Sequence, residues 1–205
     1  MFIEIENYIK DLTKRFDQIP AERKEILSSI SRYVQQQLAK GKHAELIYVC
    51  THNSRRSHFG QVWGKTAAAY YNIPNINTYS AGTEATAMNA NAINALKRIG
   101  FAIHTEKEGT NPLYKVQYDN TSSAIYCFSK TYKDESIPTQ DLCAIMTCTE
   151  ADGNCPFIPG TDVRISCPYE DPKRYDGTAQ QGQAYDDRCR QIARENLYIF
   201  SLLKK

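Results

Sequence analysis

The sequence has no long apolar run. Nothing in its 205 residues approaches the ~20 consecutive apolar positions of a membrane-spanning helix, so no membrane partner is expected. It has no excess of one charge either. Lys and Arg number 25 against 23 Asp and Glu, a net charge of +2 with no long basic run. That gives no reason to expect nucleic acid or an anionic lipid surface as partner. Met1 through Asn7 lack the charged-then-apolar pattern of a signal peptide, which places the protein in the cytoplasm. There is no internal repeat and no low-complexity segment. The tight C-x2-C knuckle of common structural zinc sites is also missing, so no resident metal is expected. What is present is ordinary for a globular chain, with 41% apolar and 23% charged residues. The length suffices for one sizeable core, or one core with an appendage. In a reducing compartment the seven cysteines read as catalytic or redox-active before they read as structural disulfides.

One stretch organises the rest: Leu46-Ile-Tyr-Val-Cys50-Thr-His-Asn-Ser-Arg-Arg56-Ser57. Four apolar or aromatic residues run into Cys50, and Phe59, Val62, Trp63 and Ala67 then recur at helical spacing. Cys50 should therefore end a buried strand and Ser57 should open an amphipathic helix. The loop Thr51, His52, Asn53, Ser54, Arg55 has the size to wrap a small tetrahedral oxyanion. Its N–H groups, the positive helix end and the Arg56 guanidinium would face inward. The same field favours a thiolate at Cys50, a nucleophile aimed at phosphorus or arsenic.

Upstream, residues 1–42 read as a helical hairpin extension. Ile5, Ile9, Leu12 and Phe16 mark one helix, Pro20 a break, and Ile26, Leu27, Ile30, Val34 and Leu38 a second helix that Gly41 stops. From residue 43 to 205 strands and helices alternate. Strands are expected at Leu46–Cys50, Ile76–Ser80, Ala124–Phe128 and Ala144–Thr147, and helices from Ser57, from Asn89 to Ile99 and from Thr178 to Leu203. His104 to Asn120 reads as loop with a possible extended piece at Tyr114–Gln117. Ser129–Glu135 reads as a possible short helix. The proline-rich stretch after Cys148 reads as a long loop. This alternation implies an α/β fold, a four-stranded parallel sheet in a three-layer α/β/α arrangement, with ligands at the carboxyl ends of the strands. Cys50, Ser80, Ser129 and Cys148 all fall at such ends.

Two further groupings bear on chemistry. Cys148 and Cys155 sit seven apart in a segment rich in turn residues. In a helix they would lie roughly 10 Å apart, too far for a disulfide, so the segment must loop or unwind for them to meet. That suits a redox relay. Two inert buried thiols, or a zinc site completed by Cys143 or Cys167, are the alternatives. In Tyr169-Glu170-Asp171-Pro172, the proline restrains Asp171 to extended geometry and can present it as a general acid.

The order of these motifs resembles the low-molecular-weight protein tyrosine phosphatase superfamily over about residues 44–203. More closely it resembles the thioredoxin-coupled arsenate reductases of that fold. The carriers are Cys50-Thr-x-Asn-Ser-x-Arg56-Ser57, Ser80-Ala-Gly82, Cys148-x6-Cys155-Pro156 and Asp171-Pro172. The resemblance implies Cys50 as nucleophile, Arg56 as oxyanion ligand, Asn53 and Ser57 as loop-shaping residues and Asp171 as general acid. It implies arsenate reduction through Cys148 and Cys155, with no bound cofactor and with thioredoxin or another dithiol as external reductant. A tyrosine phosphatase working through phosphocysteine is the alternative, with Tyr169 and Tyr175 available to stack on a phosphotyrosine ring. Two positions depart from the family loop. His52 stands where Gly is usual, and Arg55 where Cys is frequent. A left-handed turn at His52 would be strained, which leaves open a third reading, an oxyanion-binding module without turnover.

Overall fold

The computed structural model describes residues 1–122, 124–154 and 157–203. Helix α1 (Ile3–Thr13) buries Ile5, Ile9 and Leu12 on one stripe. A 3-10 turn at Phe16–Gln18 and an extended Pro20 lead into α2 (Ala21–Ala39), which buries Leu27, Ile30, Tyr33 and Val34. Both helices pack on α6 (Gln181–Ser201), and their buried residues join the main core of the molecule.

The parallel sheet has the order β2-β1-β6-β7, built from β1 (Ala44–Cys50), β2 (Ile76–Gly82), β6 (Leu142–Met146) and β7 (Thr161–Ser166). Residues of β1 alternate between two cores, as the period of a strand demands. Leu46 and Tyr48 face the helices α3 (Arg56–Tyr70), α6 and α2, whereas Ile47 and Val49 face a thinner layer around Ile137, Ala151 and Ile158. A six-residue helix, α5 (Thr149–Asn154), covers part of that second face. Helix α3 lies close on the sheet because it carries glycine where the Tyr48 ring passes. A Cβ on Gly60 would fall 2.2 Å from that ring, and one on Gly64 2.6 Å from its hydroxyl. Helix α4 (Ala90–Ile99) starts one residue after the expected Asn89, which caps it instead, and is stopped by Gly100 in the left-handed region.

The sheet has the expected number of strands but not the expected membership. Residues 124–128 do not enter it. Strand β5 (Ile125–Cys127) is instead the last of an antiparallel sheet with β3 (Ala102–Lys107) and β4 (Leu113–Gln117). Beyond Ile103, β3 is exposed, so its polar sequence lacks the apolar alternation that would mark a strand. The fourth parallel strand is β7, inside the stretch expected to be loop. It is an edge strand of Thr, Asp, Arg and Ser in which only Ile165 is buried, and its pairing with β6 defines it. Residues 129–135 form a turn with a bridge from Thr131 to Gly82, not a helix. Among the described residues, no helix is long and apolar enough to cross a membrane.

Candidate active site

Cys50 ends β1 and is 4% exposed. The chain then turns through residues 51–55 into α3, which opens at Arg56, one residue before the expected start. The loop's carbonyls are tied outward. Thr83 N–H donates to Cys50 O at 3.3 Å, Glu84 N–H to Thr51 O at 2.9 Å, and Asn89 N–H to Ser54 O at 2.9 Å. The His52 carbonyl accepts from Ser129 Oγ at 2.9 Å and Thr86 Oγ1 at 3.1 Å. Peptide groups are planar and trans. Each N–H lies opposite the carbonyl of its own peptide group, so these contacts also fix the orientation of the N–H groups of Thr51, His52, Asn53 and Arg55. A Cβ on Gly82 would lie 2.5 Å from Thr51 O and 2.7 Å from Asn53 N, so the strand beside the loop tolerates only glycine there.

Asn53 shapes the interior. It takes the left-handed backbone at φ 44°, which asparagine tolerates better than most residues. Its side chain donates to Ser57 Oγ at 2.8 Å and accepts from Lys130 N–H at 2.8 Å. Ser57 Oγ in turn sits 3.1 Å from Cys50 Sγ. Ser54 Oγ donates to Ala87 O at 2.7 Å. His52 does not have positive φ, and its side chain is exposed beside Glu84. The strain expected from His52 is absent because the left-handed turn falls on its neighbour.

The two arginines divide. Arg56 is buried, and its Nη1 donates to Tyr169 O at 2.9 Å while Nη2 donates to an Asp171 carboxylate oxygen at 2.7 Å. Arg55 turns away from the loop. Its Nε donates to Tyr185 Oη at 2.7 Å and Nη2 lies 3.5 Å from Asp176. Arg55 is thus a structural tie to α6, neither solvent-pointing nor an oxyanion ligand by side chain. Asp171 is extended, with φ −78° and ψ 120°, and its second oxygen accepts from Lys173 N–H at 3.0 Å. The Tyr169 ring is buried and cannot stack on a substrate, whereas Tyr175 is half-buried beside Arg174.

The structure brings Cys148 to the loop. The Cys148 thiol is 1% exposed, 3.4 Å from Thr51 Oγ1, and receives Ala151 N–H at 3.3 Å. Cys155 lies outside the described residues. Burial pushes the Cys127 and Cys189 thiols up to about 12 and Cys167 up to about 11, and raises Cys143 further still, which favours the protonated thiol at all four. No cluster of three metal-ligating side chains occurs among the described residues. Ser80 of β2 joins a buried network with His58 and Gln61 of α3. Burial holds that histidine neutral, its pKa lowered to about 3. The ties through Ser129, Lys130 and Tyr185 were not legible in sequence, since they come from residues 77 to 130 positions away.

A short loop with its carbonyls tied, a buried arginine fork and a buried thiol before it have the chemistry to hold a small oxyanion against a nucleophile. Solved structures with this fold include a low-molecular-weight phosphotyrosine phosphatase from Vibrio cholerae O395, with TM-score 0.52, 12% identity, 77% of this chain and 95% of that one covered. An arsenate reductase in its phosphate-binding state matches with TM-score 0.51 and 17% identity, over 78% of this chain and 99% of that one. These likenesses define the fold class. No family model matches the sequence. Sequence relatives narrow it. The arsenate reductase of Brevibacillus brevis is 30% identical over 127 residues, 62% of this chain and 75% of the relative. That of Halalkalibacterium halodurans is 28% identical over 156 residues, 76% of this chain and 94% of the relative. The chain belongs to the family of these arsenate reductases, which are enzymes, and has the fold of the low-molecular-weight phosphotyrosine phosphatases.

Proposed function

We propose that the protein is an arsenate reductase, with residues 43–205 as its catalytic unit. The observation that carries this is the Cys148 thiol against Thr51, the residue next to Cys50. Arsenate enters the loop and takes the Arg56 fork from Asp171. The Cys50 thiolate attacks arsenic, an S–As bond forms, and the oxygen protonated by Asp171 leaves as water. The Cys148 thiolate then attacks Cys50 Sγ. The S–As bond breaks with its electron pair going to arsenic, As(V) becomes As(III), and arsenite leaves behind a Cys50–Cys148 disulfide. Cys155 attacks Cys148 and frees Cys50 as a thiolate. The Cys148–Cys155 disulfide passes to an external dithiol of the thioredoxin kind.

A tyrosine phosphatase is the second reading, because the Cys50 loop, Arg56 and Asp171 serve hydrolysis equally well. The deciding experiment measures arsenate turnover with thioredoxin and its reductase beside hydrolysis of a phosphotyrosine peptide. Arsenate-dependent consumption of the reductant is expected. Hydrolysis without it would put the phosphatase first.

A further inference from the structure

The strap that carries Asp171 is gripped from outside residues 43–205. Tyr169, whose carbonyl accepts from Arg56, has its ring under the guanidinium of Arg23 in α2, with Arg23 Cζ 4.6 Å from the ring centroid. Arg23 Nε donates to Glu195 of α6 at 2.9 Å, and Nη2 reaches the Cys167 carbonyl at 3.5 Å. Gln191 holds the other Glu195 oxygen at 3.0 Å. On its inner side the strap is tied to the sheet, Cys167 N–H to Met146 O at 2.9 Å and Tyr169 N–H to Thr147 O at 3.0 Å. One N-terminal arginine thus touches both residues 167 and 169, and Asp171 stands two positions further on.

We propose that Arg23 is a positioning residue for the reaction, holding the strap so that the Tyr169 carbonyl stays on Arg56 Nη1 and Asp171 stays beside the loop when the substrate takes Arg56 Nη2 from it. This rests on the reading of Asp171 as proton donor. A planar guanidinium can stack on an aromatic face and bond a carboxylate at its edge at once, and an ammonium cannot. Glu195 is 2% exposed, so it fixes Arg23 against a surface that does not move with solvent. The helices before residue 43 then serve the active site as well as the core.

The test uses the full-length protein and two aryl phosphates, phenyl phosphate with a poor leaving group and p-nitrophenyl phosphate with a good one. A displaced proton donor harms the first more than the second. Asp171→Asn sets the reference, with a loss of about a hundredfold on phenyl phosphate and a smaller one on p-nitrophenyl phosphate. Replacing the buried pair together, Arg23→Met with Glu195→Met, removes the stack without orphaning a charge, so the fold should survive. Its kcat on phenyl phosphate should fall about tenfold, with KM within about threefold and p-nitrophenyl phosphate turned over near the wild-type rate. Arg23→Lys should fall between. A double variant with the wild-type ratio of the two substrates, alongside a shifted ratio in Asp171→Asn, overturns the proposal. An unshifted ratio in Asp171→Asn removes Asp171 as donor, and the role of Arg23 with it. If the double variant does not fold, the ratio in Arg23→Lys decides, a wild-type value overturning the proposal and a shifted one supporting it.

Discussion

The Cys50 loop and the Cys148 thiol are neighbours held in opposite ways. Around Cys50, backbone carbonyls are anchored to the 83–89 segment and to Ser129, and Asn53 is clamped from two sides. Cys148 is met by one hydroxyl and one N–H, and the helix that follows it has six residues. Such a short helix depends on its packing, here Ala151 in the second core and the bonds from Arg164 to Asp152. In the proposed reaction the two thiols would have different tasks. Donors that stabilise developing charge work best when they need not reorganise. A thiol that must reach first one sulfur and then another works only if its segment can move.

The largest effect tests the stiff side. Cys50→Ser should lose both arsenate reduction and aryl phosphate hydrolysis by roughly 10⁴-fold or more, because an alcohol is a far poorer nucleophile near neutral pH. Circular dichroism should match the wild type. Substantial turnover of either substrate would remove Cys50 from the mechanism.

The Cys148 side should break differently. Cys148→Ser and Cys155→Ser should each abolish multiple-turnover arsenate reduction while hydrolysis stays within about threefold, since hydrolysis exports no electrons. Cys155→Ser should trap a Cys50–Cys148 disulfide, visible by mass spectrometry of non-reduced peptides. A wild-type protein that forms no disulfide among these cysteines after arsenate would leave the two regions without a shared reaction.

Within the stiff region the two arginines should separate. Arg56→Lys should lose about 10²–10³-fold in kcat/KM, because a point charge replaces a planar fork. Arg55→Ala should cost about 1 kcal/mol of stability through its lost bonds to Tyr185 and Asp176, with far less effect on rate. Steady-state kinetics beside thermal melts read both. Equal rate losses would mean that the register of the loop is misassigned.

What the sequence made legible was local. Cys50, the helix after it, the helix that ends at Ile99, and Asp171 before Pro172 each carry their signal within a few residues. What it hid depends on pairing across the chain. β7 is a strand because β6 lies beside it, and β3 because β4 does, while both are largely polar. Residues 124–128 have the apolar content of a sheet strand, but the partner is β4 and not β1. Arg55 reads as loop charge until Tyr185 is placed 2.7 Å away, and nothing local singles out Arg23, whose partners Tyr169 and Glu195 lie far along the chain.

The smallest expected effect is also the sharpest test of the loop itself. His52 and Asn53 are adjacent, and sequence alone makes His52 the suspect position. The backbone puts the left-handed residue at Asn53, with φ 44°. His52→Gly therefore relieves no strain. It adds freedom to the unfolded chain, costs roughly 0.5–1 kcal/mol, and should leave kcat close to wild type. Asn53→Ala should do more, because alanine tolerates that φ poorly and the bonds to Ser57 Oγ and Lys130 N–H are lost together. Ser57 would then be free to rotate from its place 3.1 Å from Cys50 Sγ, and phosphate affinity by calorimetry should weaken along with kcat. A gain in stability or rate from His52→Gly, with Asn53→Ala near wild type, would move the strained position back to His52.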